Sequence, residues 1–175
     1  MSGRRLDLLD PSTLDSELGD IARGLARVAR WNGQTLGPHA FSVAQHSLLV
    51  EEIFGLIGDE PSPKDRIAAI LHDAAEYVIG DMISPFKAVV GGGYREGENR
   101  LRHAIHLRFG LKPDLSKELE ARIKRADQVA AYLEATALAG FSQSEAAAFF
   151  GKPSEIAVGH FDVLPQPVEQ VQKAF

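Results

Sequence analysis

Several features that define other protein classes are missing from this sequence. None of its 175 residues is cysteine, which excludes disulfides, thiolate nucleophiles and cysteine-based zinc sites. Any bound metal ion must therefore use histidine and carboxylate ligands. No apolar run approaches the roughly 18 residues of a membrane span, and the first residues lack the apolar stretch of a secretion signal. We therefore expect a cytoplasmic protein with no membrane partner.

The sequence also lacks an excess of basic residues. It has 19 lysines and arginines against 24 aspartates and glutamates, a formal net charge of -5. Broad binding to nucleic acid needs a basic surface, so we expect no nucleic-acid partner. A single nucleotide is not excluded as a substrate, because one local cation or metal ion is enough to hold one phosphate.

No convincing alternating pattern of a β-strand, no internal repeat and no low-complexity segment is present. A composition of 45% hydrophobic and 25% charged residues is that of an ordinary globular protein, and the length is that of one domain. Apolar residues instead recur at helical spacing. We predict an all-α, single-domain helical bundle with a lead-in (1–15), a helical core (16–150) and an irregular C-terminal segment ending in a short helix packed on the core (151–175).

Helix-start signals divide the core into segments. A serine stands where an N-cap is needed at five places, and Ser42 with Gln45 and Ser142 with Glu145 match the capping-box pattern. The predicted helices are 16–30, 42–57, 62–79, 94–109, 116–138 and 142–150, followed by a last short helix over 165–175. Residues 81–87 are predicted to form a loop, and residues 151–163 to be irregular.

Metal-binding residue types recur on the apolar faces of these helices. His46 falls on the apolar seam of the second helix, His72 and Asp73 are adjacent in the third, and Asp127 points to the core side of the fifth. Two imidazoles and two carboxylates suit a divalent first-row transition ion, with Mn, Fe, Co, Ni and Zn all plausible. Four protein ligands leave coordination positions for water and a substrate oxygen, as in metal-assisted hydrolysis.

Each of these residues also has a simpler interpretation. A single inward histidine is more often a hydrogen-bonded core residue than a ligand, and Asp127 could simply form an ion pair with Arg122 or Arg125 and bind no metal. The joint pattern across three helices favours the metal site. His103 and His106 share a helix face among arginines, and we interpret them as facing solvent or a partner.

The same residues carry a resemblance to a known family. His46, His72-Asp73 and Asp127 match the H…HD…D pattern of HD-domain metal-dependent phosphohydrolases. Within that superfamily the chain looks most like the bacterial 5′-deoxynucleotidases, because of Arg30-Trp31, Glu76, Gly80-Asp81 and the run Ser84-Pro85-Phe86-Lys87. The resemblance implies an HD-domain helical bundle, one divalent ion and removal of phosphate from a nucleoside 5′-monophosphate.

The resemblance also implies a role for each matching residue. His46, His72, Asp73 and Asp127 would hold the metal, and Glu76 and Asp81 would orient or deprotonate the attacking water. Arg30 would contact the phosphate, and Trp31 would border the sugar. Lys87 is a second cationic candidate for the phosphate oxygens. The relatives suggest a homodimer, for which Phe149-Phe150 is a candidate contact.

Alternatives are open for the residues outside the metal ligands. Glu76, four residues after His72 and expected on the same helical face, could be a surface residue paired with a lysine. Asp81 could simply follow the helix-stopping Gly80, Lys87 could be solvated, and Trp31 could be a core residue. The chain could also be an HD phosphodiesterase, a nucleotide pyrophosphohydrolase, or a helical module whose metal is structural.

Overall fold

The chain forms helices joined by short turns in a computed structural model that describes residues 2–90, 92–154 and 161–175. Within these ranges the β-pairing is limited to an isolated bridge between Ala29 and Ser42. The prediction of an all-α single domain is confirmed for this part of the chain. The helices are α1 (Leu18–Leu25), α2 (Val43–Leu56), α3 (Pro63–Ile70), α4 (Glu76–Ile79), α5 (Ser84–Val90), α6 (Gly92–Arg108), α7 (Lys117–Ala137), α8 (Gln143–Phe150) and α9 (Val168–Ala174), with a 3₁₀ turn at Trp31–Gly33.

Helix α2 lies at the centre of the molecule. It packs against α7 and α3, and also against α1 and α9. Its C-terminal half joins one apolar cluster with α7 and α8, while Val43 and Ala44 at its start join a second cluster with α1 and α6. His46 stands on α2 between these two groups and is fully buried. The core therefore surrounds a charged candidate site rather than an unbroken apolar interior.

Four of the five predicted serine caps are confirmed. The side chains of Ser42, Ser62, Ser116 and Ser142 each accept a hydrogen bond from the backbone N–H three residues later. Ser16 is not a cap, because α1 begins at Leu18 and its N-cap is the residue before. Ser16 is instead buried.

The reciprocal half of the capping box at Ser142 is confirmed, but the one at Ser42 is wrong. The side chain of Glu145 accepts from the Ser142 N–H at 2.8 Å. The side chain of Gln45 turns away to the C-terminal segment, where it donates to the Leu164 carbonyl at 2.6 Å and accepts from the Gln166 N–H at 3.1 Å. Gln45 therefore attaches the C-terminal segment to α2.

The first helix ends earlier than the sequence predicts. The prediction was 16–30, but α1 ends at Leu25. The residues that follow pair with the segment before α2 instead: Arg30 N–H donates to the Phe41 carbonyl at 2.8 Å, and Val43 N–H donates to the Val28 carbonyl at 2.9 Å. This tertiary pairing replaces the last helical turn and fixes the backbone of Arg30.

The third predicted helix, 62–79, is broken in the middle. Helix α3 ends at Ile70 and α4 begins at Glu76. Between them the hydrogen bonds tighten to the i→i+3 pattern, with Ala74 N–H donating to Leu71 and Glu76 N–H to Asp73, both at 3.0 Å. No glycine or proline marks this break. His72 and Asp73 therefore lie in a turn, and the expectation that His72 and Glu76 share one helical face is wrong.

The second half of the chain agrees more closely with prediction. Helix α6 covers most of 94–109, α7 most of 116–138, and α8 most of 142–150. The predicted loop over 81–87 is wrong from residue 84 onward, where α5 begins and packs against α6; a proline is tolerated in a first helical turn because that turn's N–H groups have no helical acceptor.

The C-terminal segment returns to the core. Of the predicted irregular stretch 151–163, residues 151–154 and 161–163 have no regular structure, and residues 155–160 lie outside the described ranges. The final helix α9 packs against α1 and α2, with Val171 buried. In the parts of the chain described here, no helix is both long and apolar enough to cross a membrane.

Candidate metal centre

The four predicted ligands come from three separate parts of the chain and meet at one point. His46 lies on α2, His72 and Asp73 in the turn between α3 and α4, and Asp127 on α7. His46 Nε2 is 3.4 Å from an Asp127 oxygen and 3.5 Å from an Asp73 oxygen, which is 3.2 Å from His72 Nε2. One ligand atom from each of His46, His72 and Asp127 lies within 4.8 Å of the others.

Both imidazoles present the same nitrogen to this point. His46 Nδ1 is 2.6 Å from Glu134 Oε1, and His72 Nδ1 is 2.9 Å from the Ala69 carbonyl. A carbonyl and an ionised carboxylate only accept hydrogen bonds, so each Nδ1 carries a proton. Both Nε2 atoms are buried, and among the described residues neither has a hydrogen-bond partner of good geometry. Two such nitrogens beside two carboxylates fit a divalent transition ion.

The charges of the cluster also favour a cation. Burial and Arg30 lower the pKa of His46, but the carboxylates of Glu134 and Asp127 outweigh them and raise it to about 10. Burial raises the pKa of Asp73 and of Asp127, yet the neighbouring imidazoles outweigh burial and hold both below their usual range. These carboxylates therefore favour a positive charge at this point.

Glu134 is a functional candidate that the sequence analysis missed. Its side chain is fully buried. Its two oxygens are divided between partners: Oε1 faces His46 Nδ1, and Oε2 accepts from Trp31 Nε1–H at 2.9 Å. Burial raises the pKa of Glu134, but His46, Arg30 and Trp31 outweigh it and lower it. The available signal was its position on α7, seven residues or two turns after Asp127 and therefore on the same face.

Arg30 lies beside the ligand cluster. One of its terminal nitrogens, NH1, is 3.7 Å from Asp73 and 3.7 Å from Asp81, and Nε is 3.6 Å from Glu134. Burial lowers the pKa of Arg30, but the surrounding carboxylates outweigh it and raise the pKa. The guanidinium therefore stays charged next to the site. Its contact with a phosphate, and the action of Asp81 on a water, stay predictions.

Glu76 is buried, with 3% of its surface exposed, so the interpretation as a surface residue is wrong. Its Oε1 is 3.7 Å from Lys87 Nζ, and its Oε2 has no hydrogen-bond partner in the part of the chain that the structure describes. Burial, together with Asp73 and Asp81, raises the pKa of Glu76 to about 9. A carboxyl group with such a pKa holds a proton near neutral pH, which is typical of groups that transfer protons.

Lys87 is held between two carboxylates. Besides Glu76, its ammonium group binds Glu98 at 3.1 Å, and its side chain is half-buried. The interpretation as a fully solvated lysine is therefore wrong. Burial lowers the pKa of Lys87, but Glu98 and Glu76 raise it further than burial lowers it. The predicted contact with phosphate oxygens stays untested.

Trp31 is fixed by an aromatic group as well as by Glu134. Its ring lies 5.7 Å from Phe141 and 5.9 Å from Phe150 between centroids. Trp31 and Asn32 have left-handed φ values of 55° and 52°, a conformation that bulky residues rarely adopt. These contacts agree with the core interpretation of Trp31; its predicted place beside a sugar stays a prediction.

A cavity of about 210 Å³ opens beside the cluster. His72, His106, Asp127 and the basic side chains of Arg102 and Lys124 line it, with Leu115, Glu120 and Ile123. Of the described residues that line it, none is a predicted substrate contact (Arg30, Trp31 or Lys87). The cavity therefore approaches the ligands from the α6–α7 side.

One interpretation of the remaining histidines is wrong. His106 does not face solvent: 1% of its surface is exposed, and its Nδ1 donates to the Pro113 carbonyl at 2.9 Å. Burial lowers the pKa of His106. His103 is partly exposed and pairs with Asp114 at 2.9 Å.

Phe149, a candidate dimer contact, is 72% exposed. The homodimer itself stays a prediction.

The fold and the site together define a class: a one-domain helical protein with two imidazoles and two carboxylates converging inside the bundle. No family model matches the chain. Its whole length is 54% identical, over 175 residues, to an uncharacterized protein of Rhodobacter capsulatus, of which the match covers 89%. The chain belongs to the same family as that protein.

Proposed function

We propose that this protein is a metal-dependent phosphohydrolase of the HD-domain type that removes phosphate from (deoxy)nucleoside 5′-monophosphates. The observation that carries the proposal is the convergence of His46, His72, Asp73 and Asp127, in which both buried ligand nitrogens lie 3.2–3.5 Å from the carboxylates of the same cluster. A bound divalent ion would supply an activated water and charge for the phosphoryl oxygens.

The surrounding side chains have properties that this reaction needs. Glu76 is buried near Asp73 and Asp81, and its raised pKa keeps a proton on it near neutral pH. A bound cation would favour its ionised form, which could take a proton from water. Arg30 keeps its positive charge between Asp73 and Asp81, where its planar fork is suited to oxygens of a phosphate. The cavity beside His72 and Asp127 provides room for part of a substrate.

Phosphate release from a panel of substrates tests the proposal. We expect turnover of deoxy- or ribonucleoside 5′-monophosphates that EDTA abolishes and one of Mn, Co, Fe, Ni or Zn restores. Asp73→Ala should lose both the metal and the activity. A metal-bound wild-type protein that releases no phosphate from any monophosphate would overturn the proposal. Cleavage of cyclic nucleotides or triphosphates instead would identify a phosphodiesterase or pyrophosphohydrolase.

Glu76→Gln separates chemistry from metal binding. The amide imitates the neutral carboxyl group, so we expect metal affinity and unfolding free energy close to wild type. Because the amide can neither give up nor take a proton near neutral pH, turnover should fall by about a hundredfold or more. Glu118→Gln, at an exposed position in the first turn of α7, is the matched control and should keep wild-type turnover. Full activity of Glu76→Gln would remove Glu76 from the mechanism.

A further inference from the structure

Glu134 has a contact pattern that a purely structural carboxylate does not need. It is fully buried, and an uncompensated charge there would be very costly. Each of its oxygens faces a different donor, His46 Nδ1 at 2.6 Å and Trp31 Nε1 at 2.9 Å, with Arg30 Nε at 3.6 Å. The shortest of these contacts is to a candidate metal ligand.

The chemistry of that contact determines which nitrogen of His46 is available. Because the carboxylate only accepts, it holds the proton of His46 on Nδ1. The nitrogen on the other side of the ring, Nε2, lies 3.5 Å from an Asp73 oxygen and 3.4 Å from an Asp127 oxygen. Its lone pair would then be available to a cation held by the same carboxylates. In known metal sites a carboxylate in this position orients the imidazole and raises its basicity.

We propose that Glu134 is the positioning residue of the metal centre, fixing the tautomer and orientation of His46 while anchoring Trp31 with its other oxygen. The inference rests on the proposed metal site but not on the identity of the substrate. It also gives a reason for the left-handed backbone of Trp31. In that conformation the indole N–H donates to the Glu134 oxygen that His46 does not contact.

The alternative is that Glu134 only pins the 3₁₀ turn at Trp31–Gly33 to α7. The two roles differ in what Glu134→Gln changes. An amide offers one oxygen to two donors, so it serves either His46 or Trp31. If its NH₂ faces His46, the ring must accept at Nδ1, and the proton moves to Nε2, the nitrogen that the metal needs. A structural pin would lose stability without changing this tautomer.

Two measurements on the folded proteins test the proposal. Nitrogen-15 NMR of the histidine rings in wild-type protein with Zn²⁺ should show His46 protonated at Nδ1 and ligated at Nε2. Calorimetric titration with Mn²⁺ or Zn²⁺ alone should show that Glu134→Gln weakens binding by about 10- to 100-fold. Glu118→Gln should bind as wild type does.

A second variant separates positioning from loss of fold. Trp31→Phe removes the competing donor, so in the double variant Glu134→Gln/Trp31→Phe the amide oxygen is free to face His46, and part of the lost metal affinity should return. The proposal is overturned if folded Glu134→Gln binds metal with wild-type affinity, or if wild-type His46 carries its proton on Nε2. Wild-type protein that binds no metal would instead overturn the proposed function.

If Glu134→Gln does not fold, the wild-type NMR measurement can still overturn the proposal, because it needs no variant. The positioning role requires Nδ1 protonation of metal-bound His46, and the opposite tautomer rejects it.

Discussion

The two candidate histidine ligands are held in different ways. His46 is fully buried on α2, and its Nδ1 is held by Glu134, a side chain 88 residues away on α7. His72 is partly exposed in the turn after α3, and its Nδ1 is held by the carbonyl of Ala69, three residues back. One histidine depends on a distant charged partner, and the other on its own turn.

The comparison teaches where stability and function are linked. Around His46, metal binding and the core use the same side chains, so a change there should affect both. Around His72, the hydrogen bond is local, and its acceptor, the Ala69 carbonyl, also binds the His72 backbone N–H, so a change should affect mainly the metal site. The predictions below test this separation, beginning with the largest expected effect.

His46→Ala should damage both properties. Removing the imidazole leaves Glu134 with one fewer partner inside the core, and breaking a buried charged pair costs about 3–5 kcal/mol of unfolding free energy. Urea unfolding of the metal-free protein at pH 7 measures this loss, and calorimetry should show that metal binding is gone. A stability loss below about 1 kcal/mol would show that Glu134 is satisfied without His46.

His72→Ala should damage only the metal site. The Ala69 carbonyl is buried, but it also accepts from the His72 backbone N–H at 3.3 Å. It therefore keeps a partner in the variant, and we expect a cost of about 1 kcal/mol or less. Metal affinity should nevertheless fall as far as in His46→Ala, because each supplies one Nε2. The same urea and calorimetric measurements apply. Equal stability losses in the two variants would remove the distinction between them.

Trp31→Phe should lower the unfolding free energy by less than His46→Ala and by more than His72→Ala. Phenylalanine keeps the ring contacts with Phe141 and Phe150 but loses the bond to Glu134, which costs about 1.5–3 kcal/mol for a hydrogen bond to a charged group. Thermal or urea unfolding measures it. Trp31→Ala also tests the predicted sugar contact: turnover of deoxy- over ribonucleotides should change, and an unchanged ratio would contradict that contact.

His106 is another buried histidine, and its Nδ1 donates to backbone carbonyls rather than to a carboxylate. Burial lowers its pKa, whereas the carboxylates raise that of His46. Because the pKa of His106 is lower in the folded state, its contribution to stability is complete above the unfolded pKa of about 6.5 and declines as pH falls toward the folded pKa.

Replacing His106 should therefore flatten the pH dependence of unfolding in acid. His106→Asn keeps a donor but cannot be protonated, and the difference in slope should not exceed about 1.4 kcal/mol per pH unit, the value for one proton. Urea unfolding between pH 5 and 8 measures it against wild type. An unchanged slope would mean that His106 does not titrate differently in the folded and unfolded states.

The sequence alone determined the helical class, four of the five serine caps and the group of candidate metal ligands. These depend on local chemistry. A cap needs only a serine just before the helix begins, where its side chain can accept from the backbone N–H three residues later. A helix needs only regular apolar spacing. The ligand group could be found because metal-binding residue types are rare on apolar faces.

Tertiary structure alone decided the break before His72, the early end of α1, the burial of His106 and the place of Glu134. No glycine or proline precedes the break, and Glu134 looks like any helical glutamate until α2 brings His46 beside it. Gln45 likewise has a capping position but binds the C-terminal segment. The early end of α1, the contacts of Glu134 and the use of Gln45 each depend on a partner that is distant in the chain, and a distant partner leaves little local pattern in the sequence.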